Sequence, residues 1–449
     1  MRISLIFALA LMIISCNVKQ ETPDEIKKAI LQRIKAPVFP KQDFLITDFG
    51  ANTGDSLQAN QVAFAKAIAA CHKAGGGRVV VPSGQYLVNG PIHLKSNVNL
   101  HLENRAVIRF GSNPKDYLPL VKTSWEGTFI YNYSPFIYGY KLTNVAITGK
   151  GVIDGEASNT WSKWKAIQYD DQFLSRQMNH QSVPVEQRIF GEGHYLRPHL
   201  IQLYDCQNIL IEDIKLEDSP FWCIHLLMCK NASLRRLSYD AQNKNNDGID
   251  PEYSEDILIE DIDFNNSDDN VAIKAGRDHE GRSMKNGSKN IIIRNCRLKG
   301  LHGIVIGSEM SAGVHHVFVE NCKALGYLKR GLYIKSNPDR GGEISHIYFK
   351  NIRLDEVEDC FFITSFYHSE GEGFESYIHN IYIDSVYCRK ASANGIVIQG
   401  FPSKKVKNIY FNDVTISSAK NAISMQETEN IVFSNLNIGV VAEAPSHVQ

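Results

Sequence analysis

The chain has 449 residues, a formal net charge of −1, 22% charged residues and 43% hydrophobic residues. That balance excludes a mostly disordered chain, which needs few apolar side chains and strong net charge, and it excludes a strongly basic nucleic-acid binder. The length fits two ordinary domains or one long repeat array, and internal repeats decide between them.

Arg2 precedes an apolar stretch from Ile3 to Ile14. That stretch is shorter than the roughly 20 residues a helix needs to span a bilayer. The stretch ends in I-I-S-C at Cys16. A small residue directly before a cysteine, after such a stretch, resembles a bacterial lipobox. Residues 1–16 are therefore read as a lipoprotein signal peptide with Cys16 as the lipidated mature N-terminus. The expectation is an exported bacterial lipoprotein, in the periplasm or on the outer membrane surface, that touches the membrane only through its N-terminal lipid. Residues 17–42 are polar except for the amphipathic run D-E-I-K-K-A-I-L-Q-R-I, read as a tether and short helix. Export permits disulfides, yet the eight cysteines after Cys16 form no C-x-x-C pair, so no zinc or other metal site is expected. Cys296 and Cys322 follow equivalent Asn residues in consecutive repeats, which points to stacked interior thiols.

Residues 43–449 are read as one domain. A helical stretch near 58–73 precedes G-G-G-R-V-V-V-P-S-G-Q-Y, and an apolar helix there can cap the open end of a solenoid. Then one pattern recurs: a polar residue, alternating apolar residues, and Asn, Asp or Ser. It starts at Asn144, Asn208, Asp256, Asn290, His316, His346, Asn380, Asn408 and Asn430. The last four steps are 30, 34, 28 and 22 residues. A second short apolar strand follows several copies, as in V-A-I-K-A and G-L-Y-I-K-S. Period-two alternation without long intervening helices predicts an all-β fold, a right-handed single-stranded parallel β-helix with an N-terminal cap. The leucine-rich repeat is excluded by the missing L-x-x-L-x-L spacing. The recurring Asn residues are read as turn residues that bond between coils.

Asn144 to Asn208 spans 64 residues, and the excess lies between Gly155 and Arg197. An insertion of that length projects from a solenoid face and often carries function. Asp247 precedes Asp268 by 21 residues, His302 follows Asp269 by 33, and Lys335 follows His302 by 33. Coil-like spacing predicts these side chains in a column on one face. Paired carboxyls suit glycosidic hydrolysis, in which one protonates the leaving oxygen and another activates water or attacks. Crowding raises one carboxyl's proton affinity through another's charge, so the group titrates as a unit.

Taken with N-N-D-G-I-D-P (245–251), S-D-D-N-V-A-I-K-A-G-R-D (267–278), L-H-G-I-V-I-G-S-E-M (301–310) and Y-I-K (333–335), the chain resembles the polygalacturonases of glycoside hydrolase family 28. W-E-G (125–127), Y-N-Y-S-P (131–135) and S-P-F-W-C-I-H (219–225) add to the resemblance, which covers nearly all of 43–440. It is closest to bacterial members, many of which act from chain ends. The resemblance implies an inverting single displacement without a cofactor, on pectic polysaccharide or oligogalacturonide. Asp268 corresponds to the general acid, Asp247 and Asp269 to the pair that activates water, and His302 to the residue that supports the acid. Asn245, Arg277, Tyr333 and Lys335 fall at substrate-binding positions.

Two departures stand out: Tyr333 replaces the arginine of R-I-K, and Leu301 replaces a glycine of G-H-G. Tyrosine cannot make the bidentate charge pair of arginine with a uronate. A galacturonide linked to rhamnose or another pectin side-chain sugar therefore remains an alternative substrate. A lyase on a similar helix and a carbohydrate-binding lipoprotein with an inactive site remain alternative functions.

Overall fold

The computed structural model describes residues 21–53, 57–368 and 371–441. Residues 1–16, including Cys16, lie outside them. The chain forms a right-handed parallel β-helix, with 29 strands joined in one sheet. The coils align apolar residues in vertical rows. In one row Ile209 pairs with Ala232, then Ile257, Ile291, Val317 and Ile347. All six are fully buried. Each Ile or Val among them contributes ~1.5–3 kcal/mol through burial. The row continues through Ala232, where Ala and Ser stand among the inward and outward positions of Lys230–Arg235. That coil was not recognised in the sequence because small residues blur the alternation.

Each repeat begins with a residue in the left-handed backbone region, such as Asn144, Asn208, Asn231, Asp256 and Asn290, at φ of 56–58°. Asparagine tolerates that conformation better than most residues. Its amide then donates to the oxygen of the equivalent side chain one coil earlier: Asn208 to Asn144 at 3.0 Å and Asn231 to Asn208 at 2.7 Å. The ladder is thus built side chain to side chain. At His316 and His346 ring stacking at 4.9 Å takes its place. The eight cysteines among the described residues are buried free thiols.

Two helices cover the solenoid. Helix α1 (Pro23–Arg33) begins with a capping box between Thr22 and Glu25. It is not a loose linker. Ile30, 1% exposed, packs on Leu258, Ile292 and Phe318, the outward residues of three successive coils. Lys27 reaches Glu320 at 2.6 Å and Arg33 reaches Asp256 at 2.7 Å. Helix α2 (Leu57–Lys73) lays Phe64, Ile68 and Cys71 over the first coil and closes that end of the core. Among the described residues no helix is long and apolar enough to cross a membrane. Ile30→Ala is expected to cost ~2 kcal/mol, the low end for a buried aliphatic truncation because its site lies near the surface. Urea unfolding measures this, and an unchanged midpoint would mean α1 does not stabilise the solenoid.

Thr143 pairs directly with Gln207, so the whole 155–197 insertion lies within one coil. It folds into a short 3-10 helix (Trp161–Ala166) and helix α3 (Tyr169–His180). Trp161 is fully buried against Tyr117 and Phe136, at 5.2 and 5.6 Å between rings. Asn179 of α3 donates to the Arg277 carbonyl at 3.2 Å and accepts from the Glu280 backbone at 3.0 Å. The insertion is thereby fastened over the face that carries the column of carboxyls.

Candidate active site

Coil stacking assembles the carboxyls. Asp269 opens the strand Asp269–Ile273 and is the register partner of His302, which opens the next strand. His302 Nδ1 lies 2.6 Å from Asp269 Oδ1. Lys335, at the end of the following strand, donates to Asp269 Oδ2 at 3.0 Å. Asp247 comes from the coil before, where Gly248 lets the two coils close: a Cβ on Gly248 would stand 2.4 Å from the Asn270 carbonyl. Asp268 accepts from the backbone of Asn245 at 3.2 Å and of Asp269 at 3.0 Å. Oxygens of Asp268 and Asp269 and a ring nitrogen of His302 lie within 4.8 Å of one another. That spacing is tighter than the roughly 6.5–9.5 Å common to inverting glycosidases.

The carboxyls differ in proton affinity for visible reasons. Burial raises Asp268, and the neighbouring Asp269 charge raises it further. Burial also acts on Asp269, but Lys335 and His302 overcome it and hold that carboxyl well below the usual range. Asp269 is therefore the ionised member and Asp268 the one that keeps its proton longest of the adjacent pair. Burial, then Asp250, Asp268 and Asp269, push Asp247 well up, with Lys274 opposing. Asp250 is likewise pushed up by burial. It is completely buried, and neither carboxyl oxygen has a hydrogen-bond partner apart from a neighbouring acid. Asp247 and Asp250 thus share protons as a unit beside Lys274, whose Nζ lies 3.7 and 3.9 Å away. Lys274 also binds Glu309 at 3.2 Å.

All of these groups except the deeper Asp250 line a cavity of about 280 Å³. Its floor is the strand face. The insertion supplies Lys165, Gln172 and Arg176 as one wall, and Trp222, Glu126, Tyr367 and His368 complete it. Arg176 binds Glu126 at 3.1 Å. Arg277, 1% exposed, reaches the cavity while its Nε donates to Asp278 at 3.0 Å. Asn245 also lines the cavity, and its Oδ1 accepts from the buried Arg197 at 2.8 Å. His180 lies 3.4 and 3.3 Å from Asp278 and Asp339, a grouping with metal-ligand geometry. Arg340 and Arg277 already bind Asp278, and Arg282 binds Asp339.

Seven of the eight catalytic and binding residues expected from the sequence therefore line one cavity. Tyr333 is the exception: it is 5% exposed and packs behind the lining residues His302 and Lys335. It stacks between Val305 and Phe362 in register, beneath the Arg330 guanidinium at 4.9 Å. Its ring supports His302 at 5.2 Å and Lys335 at 5.1 Å. Leu301, the other departure, does face the cavity. Lys274 and Glu309 stand inside the quoted motifs but read there as ordinary polar residues just beyond a strand.

Residues 71–437 match the family model described as glycosyl hydrolases family 28. The chain belongs to glycosyl hydrolases family 28. This family 28 enzyme is similar to the crystal structure of a hyperthermoactive exopolygalacturonase from Thermotoga maritima, at 35% identity and a TM-score of 0.86. The match covers 92% of this chain and 96% of that one. It is 28% identical to a probable polygalacturonase of Vitis vinifera over 84% of this chain and 74% of the relative. It is 25% identical to the exo-poly-alpha-D-galacturonosidase of Dickeya chrysanthemi, over 88% of this chain and 71% of the relative. As a member of the family it is a glycoside hydrolase.

Proposed function

We propose that the enzyme hydrolyses α-linked galacturonic acid residues from the ends of pectic chains, with inversion at the anomeric carbon. The observation that carries this reading is a walled cavity in which carboxyls of unequal proton affinity meet a histidine and a lysine. Asp268 gives its proton to the glycosidic oxygen as the bond to the anomeric carbon breaks. Asp247 and Asp269 hold a water on the other side and take one of its protons as its oxygen bonds that carbon. Asp268 ends ionised and the pair ends protonated, so one proton exchange with solvent resets the site. His302 orients Asp269, and its ring lies close enough to Asp268 to steady the acid. Lys335, Asn245 and Arg277 bind the sugar. No cofactor enters this sequence of steps. The exo-acting names of relatives and the wall built by the insertion both favour attack at a chain end.

Purified enzyme, with chelator present, should release galacturonic acid monomer early from oligogalacturonides. A mixture of longer products appearing first would instead mean internal cleavage. Products with ultraviolet-absorbing unsaturated ends would mean a lyase. The exchange of arginine for Tyr333, together with Leu301 on the cavity wall, supports a second reading in which the sugar beyond the cleaved bond is rhamnose or a side-chain residue. Rhamnogalacturonan fragments in the same assay separate the two, and no product from either substrate would remove both. The lipobox-like I-I-S-C supports export and anchoring through Cys16; acyl labelling that survives Cys16→Ser would end that reading.

A further inference from the structure

We infer that Lys165, carried by the insertion, is the residue that recognises the carboxylate of the galacturonide bound in the cavity. The inference rests on the proposed galacturonide substrate and assigns its specificity to a residue outside the family motifs quoted above.

The cavity wall holds several cations, and nearly all already have acidic partners. Arg176 binds Glu126 at 3.1 Å, Lys274 binds Glu309 at 3.2 Å and Arg277 binds Asp278 at 3.0 Å. Lys335 binds Asp269 at 3.0 Å, and Arg340 binds Asp278. Lys165 lines the same cavity and forms no ion pair with any described residue. A substrate anion that paired with one of the others would have to share it with a protein carboxylate. Lys165 offers an uncommitted charge. Its mount is rigid, because Trp161 and Trp164 on the same short helix pack edge to face at 4.8 Å, and Trp164 packs on Tyr195 at 5.4 Å.

Lys165 is half-buried. Burial lowers its proton affinity below the usual lysine value, and Arg197 and Arg176 add to that against the pull of Glu126 and Asp268. A uronate bound against Lys165 would favour its charged form and offset that loss. Lys165 and Asp268 line the same cavity, so an anion held by Lys165 belongs to a sugar bound beside the carboxyls. Tyr333 contributes no charge at this cavity, whereas Lys165 on the insertion does.

Trigalacturonate and its analogue with a methyl-esterified terminal carboxyl test this directly. Lys165→Met should raise KM for the free acid roughly 10- to 100-fold, the range for a lost charge-assisted hydrogen bond, with kcat nearly unchanged. Lys165→Arg should restore most of the affinity. The ester should lose little, because it carries no anion for Lys165 to meet. Equal losses on both substrates, or an unchanged KM on the acid, would overturn the inference. Calorimetric binding of galacturonate separates it from the hydrolase reading. Binding by the native protein that Lys165→Met abolishes, without any substrate turnover, would sink hydrolysis and leave the Lys165 assignment standing. Equal binding by both proteins would overturn Lys165. Matched melting temperatures guard against a folding defect.

Discussion

Asp268→Asn is expected to lower kcat on oligogalacturonide by roughly 10²- to 10⁴-fold, the contribution of a positioned general acid. The amide keeps the side chain's shape but has no acidic proton for the leaving oxygen. Two backbone N–H groups converge on the Asp268 carboxyl, from Asn245 and Asp269. An amide has one acceptor oxygen, so one of those donors loses its partner at a cost of about 1 kcal/mol. That modest loss of stability leaves the fold intact. A leaving group that needs no protonation separates acid catalysis from simple disruption. The variant should keep much more of its activity on an aryl galacturonide with an acidic phenol than on the natural linkage. Equal losses on both substrates would remove Asp268 from the role of acid.

Lys274→Met should be damaging in a second way. Lys274 is 3% exposed and its ammonium is shared by Asp247, Asp250 and Glu309. Removing one partner of a buried charge cluster costs ~3–5 kcal/mol, because the remaining charges stay desolvated. Asp247 and Asp250 already sit above the usual carboxylate range, chiefly through burial, with Lys274 opposing that rise. Without Lys274 both rise further, and Asp247 is protonated at pH values where it would otherwise accept a proton from water. The acid limb of the kcat profile should therefore move to higher pH, with a loss of about 10²-fold near neutrality.

The sign of the stability effect follows from linkage. Acidic neighbours raise Lys274 above its ordinary value although burial opposes them. Its contribution is present throughout the range below the unfolded lysine pKa, about 10.4, and fades only as pH rises through the folded value. Native enzyme at neutral pH thus has the full contribution and the variant has none. A carboxyl raised by folding has the same sign in a lower window: stability falls as pH rises from its unfolded pKa toward the folded one. The variant's melting temperature should therefore recover as pH is lowered from neutral toward 5, more than the native enzyme's does. Parallel melting curves across that range would show that Lys274 does not govern the charge of the Asp247–Asp250 pair.

The fold was legible in the sequence because a parallel β-helix writes its geometry into a period. Inward Ile and Val alternate with polar residues, and Asn recurs where the backbone turns left-handed. The coil at Lys230–Arg235 escaped notice because Ala232 and Ser233 weaken that alternation without changing the register. Asp247, Asp268, Asp269, His302 and Lys335 were readable for the same reason: their separations approximate whole coils, and stacking turns such separations into contact. By itself the sequence determined the solenoid, its capped end and the residues most of its active face carries.

The tertiary structure alone decided how those residues are charged and what surrounds them. Asp269 is the ionised acid because Lys335 and His302 converge on it from two later coils. Asp250 and Lys274 matter because burial strips them of water, which a linear pattern does not display. Tyr333 occupies a motif position yet packs under Arg330, since facing outward from a strand does not place a ring in the cavity. Lys165 belongs to no repeat and reaches the carboxyls only because the insertion folds back over the strand face. Periodicity records contacts between neighbouring coils; contacts made by a projecting loop, and proton affinities set by burial and distant charge, have no period to read.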